Sequence, residues 1–326
     1  MDKYYSVFIV PTGTGASIGG FAGDAGAYAR QIAREFPLIV NPNVVNAACF
    51  SAINQNMLYC EGSSITDFFK EKICFEENPL NKIGIIFDKA IPENILNIHI
   101  NTVNAVKTVY GTNIAGYEIT DEPVDVKFFM TKNDISSGSV KNIETMVKAG
   151  KKLINKGATA LAAVCRFDEP EDDGYAQGNA VDVVGGAEAI ISHYLTRELN
   201  VQTVHAPAFD DVTIKPDLVH PKAAAEYITP TFLPCLLLGL ERAPKIVSVK
   251  KLNTISLKNI KSLIMPYNSL GSSIVYDAVK NNIPVIAVKE NKTCLNVTPF
   301  NIGLKNVIIE TESYTDCTDI LRGIYK

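Results

Sequence analysis

The side chains best suited to moving protons gather between Asp182 and Asp211. Glu188 is followed by His193. His205 closes an apolar run and is followed by Ala-Pro-Ala-Phe and then Asp210-Asp211. Histidine titrates nearest neutral pH, and carboxylic acids tuned by their surroundings join it in general acid–base catalysis. The candidate proton-transfer groups are therefore His205, His193 and Glu188. Asp24, at the start of the first expected helix, is a fourth, although acids there also serve as caps. His99 sits inside an expected helix remote from any motif and reads as structural. Glu226, after Ala223-Ala-Ala, is a further acid or base candidate, or an ordinary surface charge. Histidine and carboxylate donors also suit zinc or a divalent iron-type ion. A metal version of the site would use His193, His205 and Asp210. Its spacing lacks the two histidines one helical turn apart that mark familiar metal sites.

Binding groups come from other loops. Pro11-Thr-Gly-Thr-Gly-Ala-Ser-Ile-Gly-Gly20 follows an apolar run and precedes a helical stretch. Small residues there let a ligand approach the backbone, and N–H groups at a helix start favour negative charge. Thr12, Gly13, Thr14, Gly15 and Ser17 are expected to hold a phosphate or carboxylate. Neither standard nucleotide motif is supported. A dinucleotide fingerprint needs a third glycine where Ile18 stands and an acid where the second strand ends at Asn41. A Walker-type ATP loop needs Gly-Lys-Ser/Thr, and Gly20 is followed by Phe21. No cofactor is assigned. Asn43 and Asn46 offer amide donors and acceptors, or plain turn chemistry. Arg166 could clamp an anion through its fork of donors. Its neighbour Cys165 is a nucleophile or, more commonly, a buried structural thiol. Glu290, Asn291 and Thr293 form another polar strand end. The acidic stretch Asp168–Asp173 reads as a solvated loop.

Positioning these loops requires short buried strands alternating with helices. Strands are expected at Val7–Val10, Leu38–Val40, Ile83–Phe87, Ile114–Ile119, Val124–Met130, Ala158–Val164, Val201–Val204, Leu233–Leu240, Ser262–Met265 and Pro284–Val288. Helices are expected at Ala27–Phe36, from Ala47, at Thr66–Lys70, Pro92–Tyr110, from a Ser139 cap to Asn155, and at Ala187–Leu199, Lys222–Tyr227, Ser272–Asn281 and Tyr314–Ile324. Asp134–Ser139 reads as a loop. The fold class is α/β: mostly parallel sheet covered by helices, Rossmann-like, with the site beyond the carboxyl ends of the strands. The chain forms one α/β unit over 1–326, or two lobes (about 1–130 and 131–326) around a shared cleft. Val7–Ile18 and Leu263–Ile274 echo one another with one inserted residue. The echo is either a remote duplication whose loops face one cleft or a chance likeness of two turns.

Composition narrows the partners. In 326 residues there are 31 basic and 35 acidic side chains, a net charge of −4 with no basic patch, so nucleic acid is not expected. No apolar run approaches the roughly 20 residues that span a bilayer. The chain enters its first strand directly, without a signal-peptide pattern. Seven cysteines, scattered and without a Cys-x-x-Cys pair, point to a reduced cytoplasmic protein. The expected partner is a small molecule, with neither nucleic acid nor membrane; a homo-oligomer is compatible with this size.

The chain resembles a widespread set of proteins catalogued only as a domain of unknown function. The likeness spans nearly its whole length. It is carried by the opening glycine-rich turn, Pro42-Asn-Val-Val-Asn46, Gly185-Gly-Ala-Glu-Ala-Ile-Ile-Ser-His193, His205-Ala-Pro-Ala208, Ala223-Ala-Ala-Glu226, Thr231-Phe-Leu-Pro-Cys235, Gly239-Leu-Glu-Arg-Ala-Pro244 and Glu290-Asn-Lys-Thr293. The resemblance implies a histidine at position 41, where this chain has Asn41. It implies no activity, but it implies that these loops belong to one site.

The expected function is an enzyme using acid–base chemistry on a small polar, anionic metabolite bearing a carboxylate or phosphate. A metal-dependent hydrolase or lyase is the alternative enzyme. A metabolite-binding or sensor protein is the alternative without chemistry.

Overall fold

The computed structural model describes residues 3–78, 81–170, 174–179, 181–214, 217–248 and 253–326. Two parallel sheets organise them. The larger has six strands, in the spatial order Met57–Tyr59, Leu38–Val40, Tyr5–Phe8, Ile260–Pro266, Val285–Val288, Ile309–Thr311. Numbered along the chain, that is 3-2-1-4-5-6, the doubly wound order of Rossmann folds. The smaller has four strands, ordered Thr203–Ala208, Ala160–Arg166, Ile83–Phe87, Ile114–Ile119. Its whole length lies in the excursion between the third and fourth strands of the larger sheet. A boundary near residue 130 would therefore cut the four-stranded sheet.

Strand alternation explains the packing. In the larger sheet Tyr5, Val7, Ile39, Leu263 and Val285 point one way, and Phe8, Leu38, Val40, Ile264 and Ile286 the other. In the smaller, Ile83, Ile85, Ala160, Ala162, Val204 and Ala206 share a face, while Ile86, Leu161 and Ala163 take the opposite one. The second set of the larger sheet and the first set of the smaller join in one apolar layer. The Leu233–Leu240 helix lies within that layer, with Leu233, Leu237 and Leu240 all 0% exposed. An all-apolar stretch of eight residues has no helical stripe to betray it, so it reads as a strand in sequence. Its Gly239 lies against the Tyr59 ring, where an added Cβ would come within 2.7 Å.

Other expected elements also differ. In place of a helix from Ala47 there is a hairpin, Asn46–Ala47 with Phe50–Ser51, followed by the Met57–Tyr59 strand. Ser136–Val140 is a strand paired antiparallel with Val126–Met130 rather than a loop. The next helix, Ile143–Asn155, consequently starts at Asn142 and not at a Ser139 cap. Residues 221–228 form turns instead of a helix. Cys74–Glu76 and Lys245–Val247 form an additional antiparallel pair. Of the acidic stretch, residues 171–173 lie outside the described residues. The internal echo has a spatial counterpart: Val7 and Leu263, equivalent in the two segments, are register partners in adjacent strands. Among the described residues, no helix is long and apolar enough to cross a membrane.

Candidate functional site

A cleft of about 590 Å³ opens beyond the carboxyl ends of the first two strands of the larger sheet. Thr12, Gly13, Thr14 and Gly15 form one wall, Asn43 and Asn46 another, and Glu188 and His205 face them from the smaller sheet. Eight of the residues singled out from the sequence thus border one space. Asn46 is held by the Tyr59 hydroxyl, which donates to its Oδ1 at 2.9 Å.

The glycine loop is shaped for close approach. Gly13 and Gly15 adopt φ +68° and +56°, open to glycine and strained for other residues. Among the described residues, the backbone N–H groups of Thr12, Gly13, Thr14 and Gly15 donate to no acceptor. Consecutive N–H groups across left-handed glycines form an anion-binding concavity. The following N–H groups are already used. Ser17 donates to the Lys292 carbonyl at 2.6 Å, Ile18 to Asn291 Oδ1 at 3.0 Å, Gly19 to Asp24 Oδ1 at 2.5 Å and Ala22 to Glu226 Oε1 at 2.7 Å. The anion-binding expectation therefore contracts to Thr12–Gly15.

Glu188 lies in the first turn of the Gly185–Leu199 helix, where Asp182 Oδ1 accepts from Val184 and Gly185 N–H at 3.1 and 3.2 Å. Gly186 permits this seat: an added Cβ would meet the Ser136 carbonyl oxygen at 2.2 Å. Glu188 is only 6% exposed, and its Oε1 has no hydrogen-bond partner among the described residues. Burial, reinforced by Asp182 and Glu226, pushes its carboxyl well above the usual carboxylate range.

His205 is the third residue of its strand, which runs on to Ala208, so it does not end the strand as expected. It projects from the face opposite Val204 and Ala206, toward the Gly185–Leu199 helix. Its Nδ1 lies 2.9 Å from Ser192 Oγ. The Ser192 hydroxyl donates to the carbonyls of Glu188 and Ala189 at 3.3 and 3.2 Å. When the Ser192 hydrogen is on those carbonyls, its Oγ accepts from His205 Nδ1–H and the Nε2 lone pair faces Glu188 Oε2 at 3.8 Å. Burial, with a smaller contribution from His193, lowers the His205 pKa to about 4. The pair is thus a neutral imidazole beside a carboxyl that favours its proton.

Two groups outside the expected site set complete the wall. Glu226 Oε1 accepts from Ala22 N–H at 2.7 Å and from the Tyr175 hydroxyl at 2.8 Å. Burial, with Asp182 and Asp24 nearby, raises Glu226 to about 7 despite those donors. The Ala-Ala-Ala-Glu226 motif was the signal for Glu226; Tyr175, beside the acidic loop, had none.

Several expected site residues do other work. Asn291 is fully buried and clamps the glycine loop: its Oδ1 accepts from Ile18 N–H, while its Nδ2 donates to the Ile18 carbonyl at 2.8 Å and the Tyr314 hydroxyl at 2.7 Å. Ser17 Oγ donates to the Glu290 carbonyl at 3.1 Å, and Glu290 Oε1 accepts from Tyr314 N–H at 2.5 Å. Thr293 binds Asn268 Oδ1 through both N–H and hydroxyl, at 2.9 and 3.1 Å. None of these lines the cleft, and neither does the turn after Pro266, so the two echoing loops do not share it. Arg166 is also elsewhere: its fork is taken by Asp210 at 3.2 and 2.7 Å and by Asp168 at 2.9 Å. Cys165 is 1% exposed, and burial raises its thiol, the opposite of nucleophile activation.

Asp24 lines a separate hollow of about 830 Å³ with Lys222, Ala22 being common to both spaces. Burial raises Asp24 to about 6, while the Gly19 N–H and Lys222 pull it down. His193 Nε2 contacts Glu61 Oε1 at 3.0 Å. Glu61 is 2% exposed and caps the Gly62–Phe69 helix through the N–H groups of Ser63 and Ser64. Burial pushes Glu61 up, but His193 and Ser63 outweigh it and leave the carboxyl below its usual range. The metal set is not assembled, since Asp210 pairs with Arg166 and His193 with Glu61. Among the described residues, no three His, Cys, Asp or Glu are grouped to hold a metal ion. Asn41, where the resemblance implied histidine, is 5% exposed and stitches two strand ends together. Its Oδ1 accepts from Val10 N–H at 3.0 Å, and its Nδ2 donates to the Val10 carbonyl at 2.8 Å.

The sequence profile of a family described as "Protein of unknown function (DUF3326)" matches residues 5–324. An uncharacterized lipoprotein of Synechococcus sp. is 33% identical over 308 residues, which cover 92% of this chain and 85% of that protein. No solved structure matches the chain.

Proposed function

This chain belongs to the DUF3326 family, and from the geometry of its cleft we propose that it is an enzyme that transfers protons to and from a small polar metabolite. The supporting observation is the pairing of Glu188, buried with a free Oε1, with His205, whose Nε2 lies 3.8 Å from Glu188 Oε2. Carboxyl and imidazole groups with displaced proton affinities, set in a cleft, are the ordinary equipment of general acid–base catalysis. Glu188 donates, His205 accepts, and the Thr12–Gly15 backbone holds the anionic or carbonyl end of the substrate. Asn43 and Asn46 orient it. Seven free cysteines support a reducing, cytoplasmic setting.

The test is conversion of a panel of small metabolites, followed by mass spectrometry. Glu188→Gln and His205→Asn should each lose turnover by roughly 10²–10⁴-fold while keeping ligand-induced thermal stabilisation. Ligands that stabilise the wild type and both variants alike, with no conversion by any of them, would transfer the cleft to the sensor reading.

A further inference from the structure

Two properties of the cleft play no part in proton transfer: its charge and its walls. Among the described residues lining it there is no Lys or Arg, whereas Asp182, Glu188, Asp211 and Glu226 all contribute carboxyl groups. A cation or an N–H donor entering this concavity draws Glu188 and Glu226 toward their ionised forms, whereas a wholly anionic ligand holds them protonated and gains no ion pair. Aromatic rings line the same cleft. Phe21 and Tyr175 lie in contact with ring centroids 4.6 Å apart, and Phe209 and Phe232 line the same space. Glu188 adds the independent observation: it is 94% buried by its 6% exposure, borders the cleft, and leaves Oε1 without a donor. A buried polar atom without a partner is costly, and a ligand N–H would satisfy it.

We infer that the cleft takes a planar aromatic nitrogen base, whose ring lies against the Phe21–Tyr175 pair and whose N–H groups donate to Glu188 and Glu226. The inference rests on the cleft being the substrate site. Glu226 is fixed for this role by Ala22 N–H and the Tyr175 hydroxyl, both on its Oε1. Those donors come from the two segments that carry the aromatic pair, so ring seat and acceptor are one unit. A positively charged nitrogen also gains from facing aromatic rings. An acidic substituent on the same ligand would reach the free N–H groups of Thr12–Gly15, which makes the best-fitting molecule a nitrogen heterocycle or aryl amidine-like base with an anionic arm.

Benzamidine and benzamide make the test, because they share size and planarity while only the first is a cation at neutral pH. Titration calorimetry on the full chain should show benzamidine binding about tenfold more tightly. That preference should vanish in Glu226→Gln, which keeps an acceptor for Ala22 and Tyr175, and shrink in Glu188→Gln. Equal binding, preference for benzamide, or a preference that survives both substitutions overturns the inference. The readout needs no turnover. If benzamidine is not preferred yet Glu188→Gln still abolishes conversion, the nitrogen-base assignment falls and the acid–base reading stands. If benzamidine is preferred and no substrate is ever converted, the ligand class stands and the enzyme reading falls.

Discussion

Glu226 and His205 make opposite demands on pH. Glu226 titrates near 7 in the fold against 4.5 ordinarily. Between those values the folded chain keeps a proton that the unfolded chain has lost, so stability falls as pH rises through the window and levels off above it. Glu226→Gln does not titrate. Its melting temperature relative to wild type should climb between about pH 5 and pH 7 and then hold steady, with a ceiling of about 3 kcal/mol at about 1.4 kcal/mol per unit. A difference that stays flat with pH would refute the protonated carboxyl. His205 has a folded pKa of about 4 against 6.5 ordinarily. Its contribution is complete above about pH 6.5 and is lost as pH falls toward 4. His205→Gln should therefore lose less stability than wild type on acidification over that range. Thermal unfolding in matched buffers reads this directly. His99, buried at 0% exposure and also near 4, adds to the acid sensitivity with the same sign.

At the level of elements, the cleft depends on two close fits. One is the contact between the glycine loop, the Ser136–Val140 strand and the Gly185–Leu199 helix. Gly186→Ala drives a Cβ into the Ser136 carbonyl, which is backbone and cannot rotate away. It should cost about 1–3 kcal/mol in denaturant midpoint and shift Glu188 with its helix. Gly111→Ala makes a useful contrast, because Gly111 has φ +73° and nothing within 4 Å of an added Cβ. Its cost should be only conformational, about 1 kcal/mol. The other fit is the Asn291 clamp. Asn291→Ala leaves the Ile18 N–H and carbonyl unpaired and should weaken ligand binding although Asn291 does not border the cleft. Ligand-induced thermal shift measures this; an unchanged shift would mean that the loop holds its shape alone.

The same elements show what could be read in the sequence. The Tyr314–Ile324 helix has the bounds expected for it, and the structure adds a reciprocal cap between Ser313 and Asp316. Glycine after Tyr110 likewise marked a helix end, and Gly111 is left-handed there. Ser136–Val140 was not legible, since Ser-Ser-Gly-Ser-Val lacks alternating apolar residues and pairs only because Val126–Met130 lies beside it. The site divides in the same way. Asn43 and Asn46 stood out by type and by their place after a strand, His205 by type at an expected strand end, and Glu188 by type in the helix after Gly185-Gly186. Asn291, Thr293 and Ser17 stood out equally but serve the loop itself, because polar residues that satisfy buried backbone look like ligand groups until their partners are known. Glu61 was invisible as a functional group, since its importance lies in His193, which is distant along the chain and adjacent in space.

For the whole molecule, the decisive feature is the apolar layer shared by both sheets. Leu237 is 0% exposed at its centre. Leu237→Ala should cost about 2–5 kcal/mol and lower both sheets together, seen as a single transition by calorimetry and by fluorescence of the tyrosines. Two separate transitions would show that the sheets are independent.

The strand order has a consequence during synthesis. Tyr5–Phe8 leaves the ribosome about 250 residues ahead of its partner Ile260–Pro266. At about 5–20 residues per second, the nascent chain waits roughly 13–50 s for that partner. Meanwhile the fully buried edge of Tyr5–Phe8, and the apolar faces around it, have no lasting cover. The four-stranded sheet, continuous from Ile83 to Ala208, can assemble in the interval. A circular permutant opened between the sheets, starting near residue 253 and joining the old termini, would place the two central strands close together in translation order. It should give more soluble protein at high expression rates than the natural order does.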